Sequence, residues 1–197
     1  RNIMYALVES GTITKYFNYP KGFTLGDLQY PADIFTKWSV EEKEAIGIHE
    51  VVFDNSNFKD GKWYINTNQS FAFVDGTVTA SYGTATPKAH EDVTETIDGV
   101  ENITPGLKTN LIKDLKSKVA SILAKTDWYV IRNTEKSTAI PSAVSTHRDA
   151  VRTKQASMET AITNAIDTPA LETLYTHTTD SDGVQSRPLG ELPVLES

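Results

Sequence analysis

Residues able to do chemistry are few in this chain, and their spacing argues against most catalytic and metal sites. The four histidines, His49, His90, His147 and His177, are scattered, with no His-x-x-x-His or His-Glu-x-x-His spacing that would place two imidazoles on one helical face. No Gly-x-Ser-x-Gly elbow nominates a serine nucleophile, and neither Gly-x-Gly-x-x-Gly nor a Walker lysine offers a phosphate cradle. Cysteine is absent, which removes thiolate ligands and disulfides. Asp180-Ser181-Asp182-Gly183 opens like a calcium loop, and Glu191 falls at the twelfth position, but the glycine comes two places early. A solvated turn is the expectation there. No cofactor or metal is expected.

One stretch does gather reactive types: Thr126-Asp127-Trp128-Tyr129-Val130-Ile131-Arg132 holds an acid, two aromatics and an arginine. It sits between two strongly helical segments. Large rings at such a corner would fill the wedge that neither helix closes alone, so the expectation is a packed elbow in which Trp128→Ala costs about 3–5 kcal/mol. Asp127 and Arg132 would pair with helix ends or with each other. A contact with a partner is the other reading.

The elements that position this stretch follow from pattern and punctuation. Asn2–Glu9 and Thr12–Phe17 flank Ser10-Gly11 as a hairpin. A loop rich in Pro and Gly follows, too often interrupted for regular structure. Ser39-Val40-Glu41-Glu42 is a capping box opening a short helix, with Gly47 as its left-handed terminator. Strands are predicted over His49–Phe53, Lys62–Asn66, Ser70–Val74 and Thr77–Tyr82, with Asp75-Gly76 as a type I′ turn between the last two. Thr104-Pro105 is predicted to cap a helix bearing Leu107, Leu111, Leu115, Val119 and Ile122 on one face and ending near Lys125. A second helical piece starts at Thr126 or Asp127, Ile140-Pro141 starts a long helix to about Ile166, and Thr168-Pro169 caps a last short one. The expected fold is α+β. Residues 1–90 form a small β-rich domain with one short helix, 91–104 an acidic linker, 105–176 a helical domain, and 177–197 an extended tail that orders on a partner.

With 197 residues, 39% hydrophobic and 23% charged, the chain can bury a real core. No apolar run approaches the roughly 18 residues that span a bilayer, and residues 1–20 lack the pattern of a signal peptide, so no membrane partner is expected. The net charge of −7 is uneven: residues 105–176 hold ten Lys/Arg against seven Asp/Glu, +3, which leaves −10 elsewhere. No dense basic stripe interleaved with aromatics is present, so nucleic acid is not expected either.

Residues 123–152, LAKTDWYVIRNTEKSTAIPSAVSTHRDAVR, resemble a segment of small tail proteins of tailed bacteriophages. That pattern is a Leu-x-x-Thr-Asp-Trp element, then a proline-initiated helix with a Tyr-Arg or His-Arg pair and a further Arg. Here it is carried by Leu123, Thr126, Asp127, Trp128, Pro141, His147-Arg148 and Arg152, with His147 standing where Tyr is usual. The opening MYALVESGTITKYFNYPKGFTLGDL and the capping-box helix ending in Ala45-Ile46-Gly47-Ile48 are similar to further pieces of the same pattern.

The family includes tail-fibre assembly chaperone-like proteins and virion components of the tail or its fibres. The resemblance implies a structural role without enzymatic activity in the virion, assembled in the host cytoplasm. It also implies partners among other tail or fibre proteins and more than one copy or a homo-oligomer. Asp127, Trp128, Tyr129, Arg132, His147, Arg148 and Arg152 are the candidate fold and partner-contact residues. A chaperone binding the fibre tip is the alternative, and a carbohydrate-binding module using Trp38 and Trp63 a lesser one.

Overall fold

A computed structural model of the chain describes residues 3–195; Asn2 of the expected first strand and the last two residues of the expected tail lie outside them. The chain divides into two compact units, one ending at Thr86 and one beginning at Pro87. The α+β expectation holds, with strands concentrated in the first unit and long helices in the second.

The first unit is built from β1 (Tyr5–Glu9), β2 (Thr12–Phe17), β3 (Phe23–Leu25), β4 (Leu28–Tyr30), α1 (Ile34–Lys37), α2 (Val40–Glu44), β5 (Ile48–Asp54), β6 (Tyr64–Ile65), β7 (Ser70–Val74) and β8 (Thr77–Ser81). Five of these strands make one sheet in the order β2-β1-β5-β8-β7, antiparallel except for the parallel β5–β8 pair. Ser10-Gly11 and Asp75-Gly76 both have positive φ at both turn residues, as a type I′ hairpin demands. The loop expected between β2 and α2 is partly regular: it folds into the β3–β4 hairpin and a second short helix. Conversely, the strand expected over Lys62–Asn66 shrinks to Tyr64–Ile65.

Alternation along the strands separates two cores. Tyr5, Leu7, Phe17 and Ile48 point to one face, where Phe23, Ile34 and Phe35 cover them. Lys43 of α2 lies over the Tyr5 ring, with Nζ 5.0 Å from its centroid. Ala6, Val51, Val78 and Ala80 point to the other face, with Phe71 and Phe73 packed against them. Small residues at the centre of that face let the sheet curl on itself, until Tyr16 of β2 meets Phe71 of β7 with ring centroids 4.7 Å apart. A register shift between Leu7 and Val8 adds the extra bend.

The capping box is formed as expected: the Glu42 amide donates to Ser39 Oγ at 3.2 Å, and the Ser39 amide donates to the Glu42 carboxylate at 2.7 Å. Gly47 ends that turn with φ +82°, and a Cβ there would lie 2.3 Å from the Val8 carbonyl oxygen.

β9 (Thr86–Pro87) lies at the junction of the units. The second unit then contains β10 (Val93–Ile97), β11 (Val100–Thr104), α3 (Leu107–Ala124), α4 (Asp127–Lys136), α5 (Ser142–Asn164), α6 (Thr168–Tyr175), β12 (Thr178–Thr179) and β13 (Gln185–Ser186). Residues 91–104 are therefore not a linker: β10 and β11 pair in register around Asp98-Gly99, again with positive φ at both turn residues. Thr104 ends β11, so α3 is capped by Gly106 instead of Thr104-Pro105. Leu111, Leu115 and Val119 of α3 are buried, as are Val144, Val151, Met158 and Ile162 of α5, and the two helices pack together.

Asp167, one residue earlier than expected, caps α6 by accepting from the Ala170 amide at 2.8 Å. Thr168 instead donates its hydroxyl to the Lys88 carbonyl at 2.7 Å. Nor is the C-terminal segment a free tail. β12 and β13 pair, the Leu189 amide donates to the Leu174 carbonyl at 3.0 Å, and the Leu189 side chain is only 3% exposed.

Gly47 and Gly76 test the two costs of a left-handed position separately. Both substitutions by alanine incur backbone strain, but a Cβ at Gly76 meets nothing within 4 Å. In denaturant titrations Gly47→Ala is expected to destabilise by at least about 1 kcal/mol more than Gly76→Ala.

Candidate functional site

The turn between α3 and α4 is organised by a side chain from α5. Thr126 has φ −118° and ψ 4°, outside the helical well, and breaks α3 from α4. Its amide and its hydroxyl each donate to the Leu123 carbonyl at 3.0 Å. The buried Arg148 guanidinium reaches this corner. Its Nη1 donates to the Leu123 carbonyl at 2.8 Å and to Thr126 Oγ1 at 2.7 Å, and its Nη2 pairs with Asp127 Oδ1 at 2.9 Å. Three acceptors from three consecutive parts of the elbow are thus held by one planar fork, a geometry lysine cannot supply. Asp127 pairs with Arg148 and not with Arg132.

α4 departs from the packed-corner expectation. None of its ten residues is buried, and Trp128 is 49% exposed. Trp128 and Tyr129 lie against each other with ring centroids 3.7 Å apart, and the Arg132 guanidinium sits 4.9 Å from the first ring and 5.3 Å from the second. Val130 and Ile131 are exposed as well. The corner is closed by Thr126 and Arg148, while the Trp128 ring faces outward over the partly buried Tyr129. Ser137, with φ 52°, ends α4, and the Asn133 side chain donates to the Thr138 carbonyl at 2.9 Å to hold the exit.

His147 is buried beside this corner and lines a cavity of about 350 Å³ with Ile122, Lys125, Thr126 and the segment Leu192–Leu195. Arg152 stands apart: exposed, it pairs with Asp149 one helical turn back on α5. Of the candidate residues, the structure gathers Asp127 and Arg148 in one hydrogen-bonded knot, and the exposed Trp128 with the partly buried Tyr129 and Arg132 in one stack. His147 borders them and Arg152 does not join. Thr126 as the shared acceptor and Leu192–Leu195 as cavity wall had no signal in local pattern, because both depend on contacts distant in sequence.

The remaining candidates are engaged in structural contacts. Asp180 accepts from the amides of Asp182 and Val184, both at 2.9 Å, which makes the calcium-like stretch the turn of the β12–β13 hairpin. Glu191 is engaged by Arg187, whose guanidinium also lies 5.4 Å from the Tyr175 ring; burial raises the Tyr175 hydroxyl above its ordinary range. Trp63 is buried, and Trp38, partly buried, packs edge-on against Tyr30 at 6.0 Å on the edge of the core of its unit. A cavity of about 500 Å³ in the first unit is lined by Tyr5, Tyr19, Phe35 and their neighbours, without a carboxylate, imidazole or basic group. Among the described residues no cluster of three or more His, Asp or Glu is placed to hold a metal ion, and no helix is long and apolar enough to cross a membrane.

Compared with protein-family models, curated proteins and solved structures, the chain matches none. The geometry of the elbow can fix an angle between helices and offer an aromatic–arginine surface.

Stability measurements separate these two parts. Arg148→Met is expected to cost about 3 kcal/mol, because it strips a buried Thr126 hydroxyl and the Leu123 carbonyl of a charged donor. Trp128→Ala is expected to cost less than about 1 kcal/mol, as for an exposed position. Chemical denaturation of the two variants checks both values.

Proposed function

We propose that the protein is a non-enzymatic structural component of a phage virion tail, an adaptor or fibre-associated part acting through protein–protein contacts. The observation that carries this reading is the convergence of the signature residues. Leu123, Thr126 and Asp127, which carry the resemblance to phage tail proteins, are the three groups that Arg148 of the His-Arg pair binds. A sequence pattern whose members meet in one hydrogen-bonded knot has a physical reason to persist as a unit. The fourth member, Trp128, stacks with Tyr129 and Arg132 on an exposed helix. Tryptophan, tyrosine and arginine are the residue types that dominate binding energy at protein interfaces. Mounted on a fixed elbow, they lose little conformational freedom on docking, which favours a contact surface over a solvated one.

A chaperone that binds the fibre tip during assembly would use the same surface, and the two roles differ in where the protein ends up. Mass spectrometry of purified particles is expected to find the protein in constant ratio to the other tail proteins. Presence in the infected-cell lysate with absence from particles would overturn the virion role in favour of the chaperone. Trp128→Ala is expected to lower incorporation about tenfold, equivalent to about 1.4 kcal/mol of contact energy, with its thermal transition retained.

A further inference from the structure

The β10–β11 hairpin stands out from its unit with every residue of both strands exposed. Its register puts Val93, Ile97 and Val100 on one face. Ile97 is 54% and Val100 68% exposed, an apolar tip with nothing on it. A lone two-stranded hairpin is marginal in water and gains from a further packing surface. Its root, by contrast, is firmly held. The Gly106 amide donates to the Asp92 carboxylate at 2.8 Å, and the amides of Leu107 and Lys108 donate to the carbonyls of Ala89 and His90, both at 3.0 Å. The Thr109 hydroxyl and the Gly106 amide hold the Asp92 carboxyl below its ordinary range. The arm is therefore presented, not frayed.

Charge narrows what can cover it. Residues 91–104 carry five carboxylates and no Lys or Arg. Glu91 is paired with Lys108 at the root, whereas Glu95, Asp98 and Glu101 have no ion-pair partner among the described residues. Pairing this arm edge to edge with the same arm of another copy would set these acids against each other, at a cost. A basic-rimmed apolar hollow suits it better, and the same unit has one. The cavity lined by Ile122, His147, Leu192 and Val194 has Lys125 in its wall. Lys118, two turns earlier on the same side of α3, and Lys125 are both exposed and without an ion-pair partner among the described residues. In this structure the arm does not lie in the hollow of its own chain, since every residue of both strands is exposed.

We propose that the hairpin tip of one copy docks into the Lys125-rimmed cavity of a second copy, with Ile97 and Val100 in the hollow and Asp98 at the turn and Glu95 on the same face against Lys125 and Lys118. The contact joins two different patches, so repetition builds a ring or an open filament, not a two-fold dimer. Self-association of this kind is independent of any virion role, and either can fail while the other stands.

Sedimentation velocity of the full chain over a concentration series, at low and high salt, tests it. The expected result is association that grows with concentration and weakens as salt screens the pairs. Glu95→Lys and Lys125→Glu, both at exposed positions and each checked for an unchanged thermal transition, are expected to weaken association about tenfold singly and to recover most of it when combined. A chain that stays monomeric at every concentration, or a dimer indifferent to both reversals, would overturn the proposal.

Discussion

The Arg148 guanidinium holds the second unit in its particular shape. Buried between helices, it needs acceptors for its donors within the fold. It finds the Leu123 carbonyl at the end of α3, the Thr126 hydroxyl and the Asp127 carboxylate. Those three groups can be reached together only if α3 stops at Ala124 and α4 leaves at the observed angle. The path of the chain from α3 through α4 to the start of α5 is thus set by the valence of one side chain. Apolar packing between α3 and α5 supplies the bulk of the burial, but Leu111, Leu115 and Val119 would tolerate small rotations that the fork of an arginine does not.

Because the clamp closes the corner with polar groups, the corner has no need of the rings. That is why Trp128 lies outward although the sequence around it reads as a filler of wedges. Composition reports that a large apolar side chain is present; only the third helix, more than twenty residues later, decides whether there is a wedge to fill. The signal that would have warned against a buried corner was in plain view, since α4 as a whole (Asp127–Lys136) is strongly polar apart from its aromatic and aliphatic start.

Local chemistry was legible wherever it was self-contained. Ser39–Glu42, Gly47, Ser10-Gly11 and Asp75-Gly76 each adopt the geometry that their residue types demand. Asp98-Gly99 carries the same type I′ signal as Asp75-Gly76 and makes the same turn, yet its flanks read as linker because their strands are acidic and bury nothing. Hydrophobic alternation is evidence of a covered face, so a hairpin without a cover is invisible to it. Caps beside proline were ambiguous for a related reason. Thr104 and Thr168 both precede a proline, but one belongs to a strand and the other gives its hydroxyl to Lys88, leaving Gly106 and Asp167 to start the helices. Of the site, the members of the elbow were legible as a set and Arg148 through the resemblance, whereas the pairing of Arg148 with Thr126 and Asp127 and the wall near the C-terminus were not.

The single parallel pair in the first sheet has a consequence for kinetics. The β1–β2 and β7–β8 hairpins join residues adjacent in sequence and can form within microseconds. The β5–β8 pairing joins Val51 to Val78 across an intervening excursion that includes β7, so it gains nothing until that loop has closed. The inner face holding Ala6, Val51, Val78 and Ala80 exists only after that closure. Two quick hairpins waiting on two non-local seams, β1–β5 and β5–β8, make the first unit's folding rate a property of topology, set by how long the chain takes to bring both hairpins against β5.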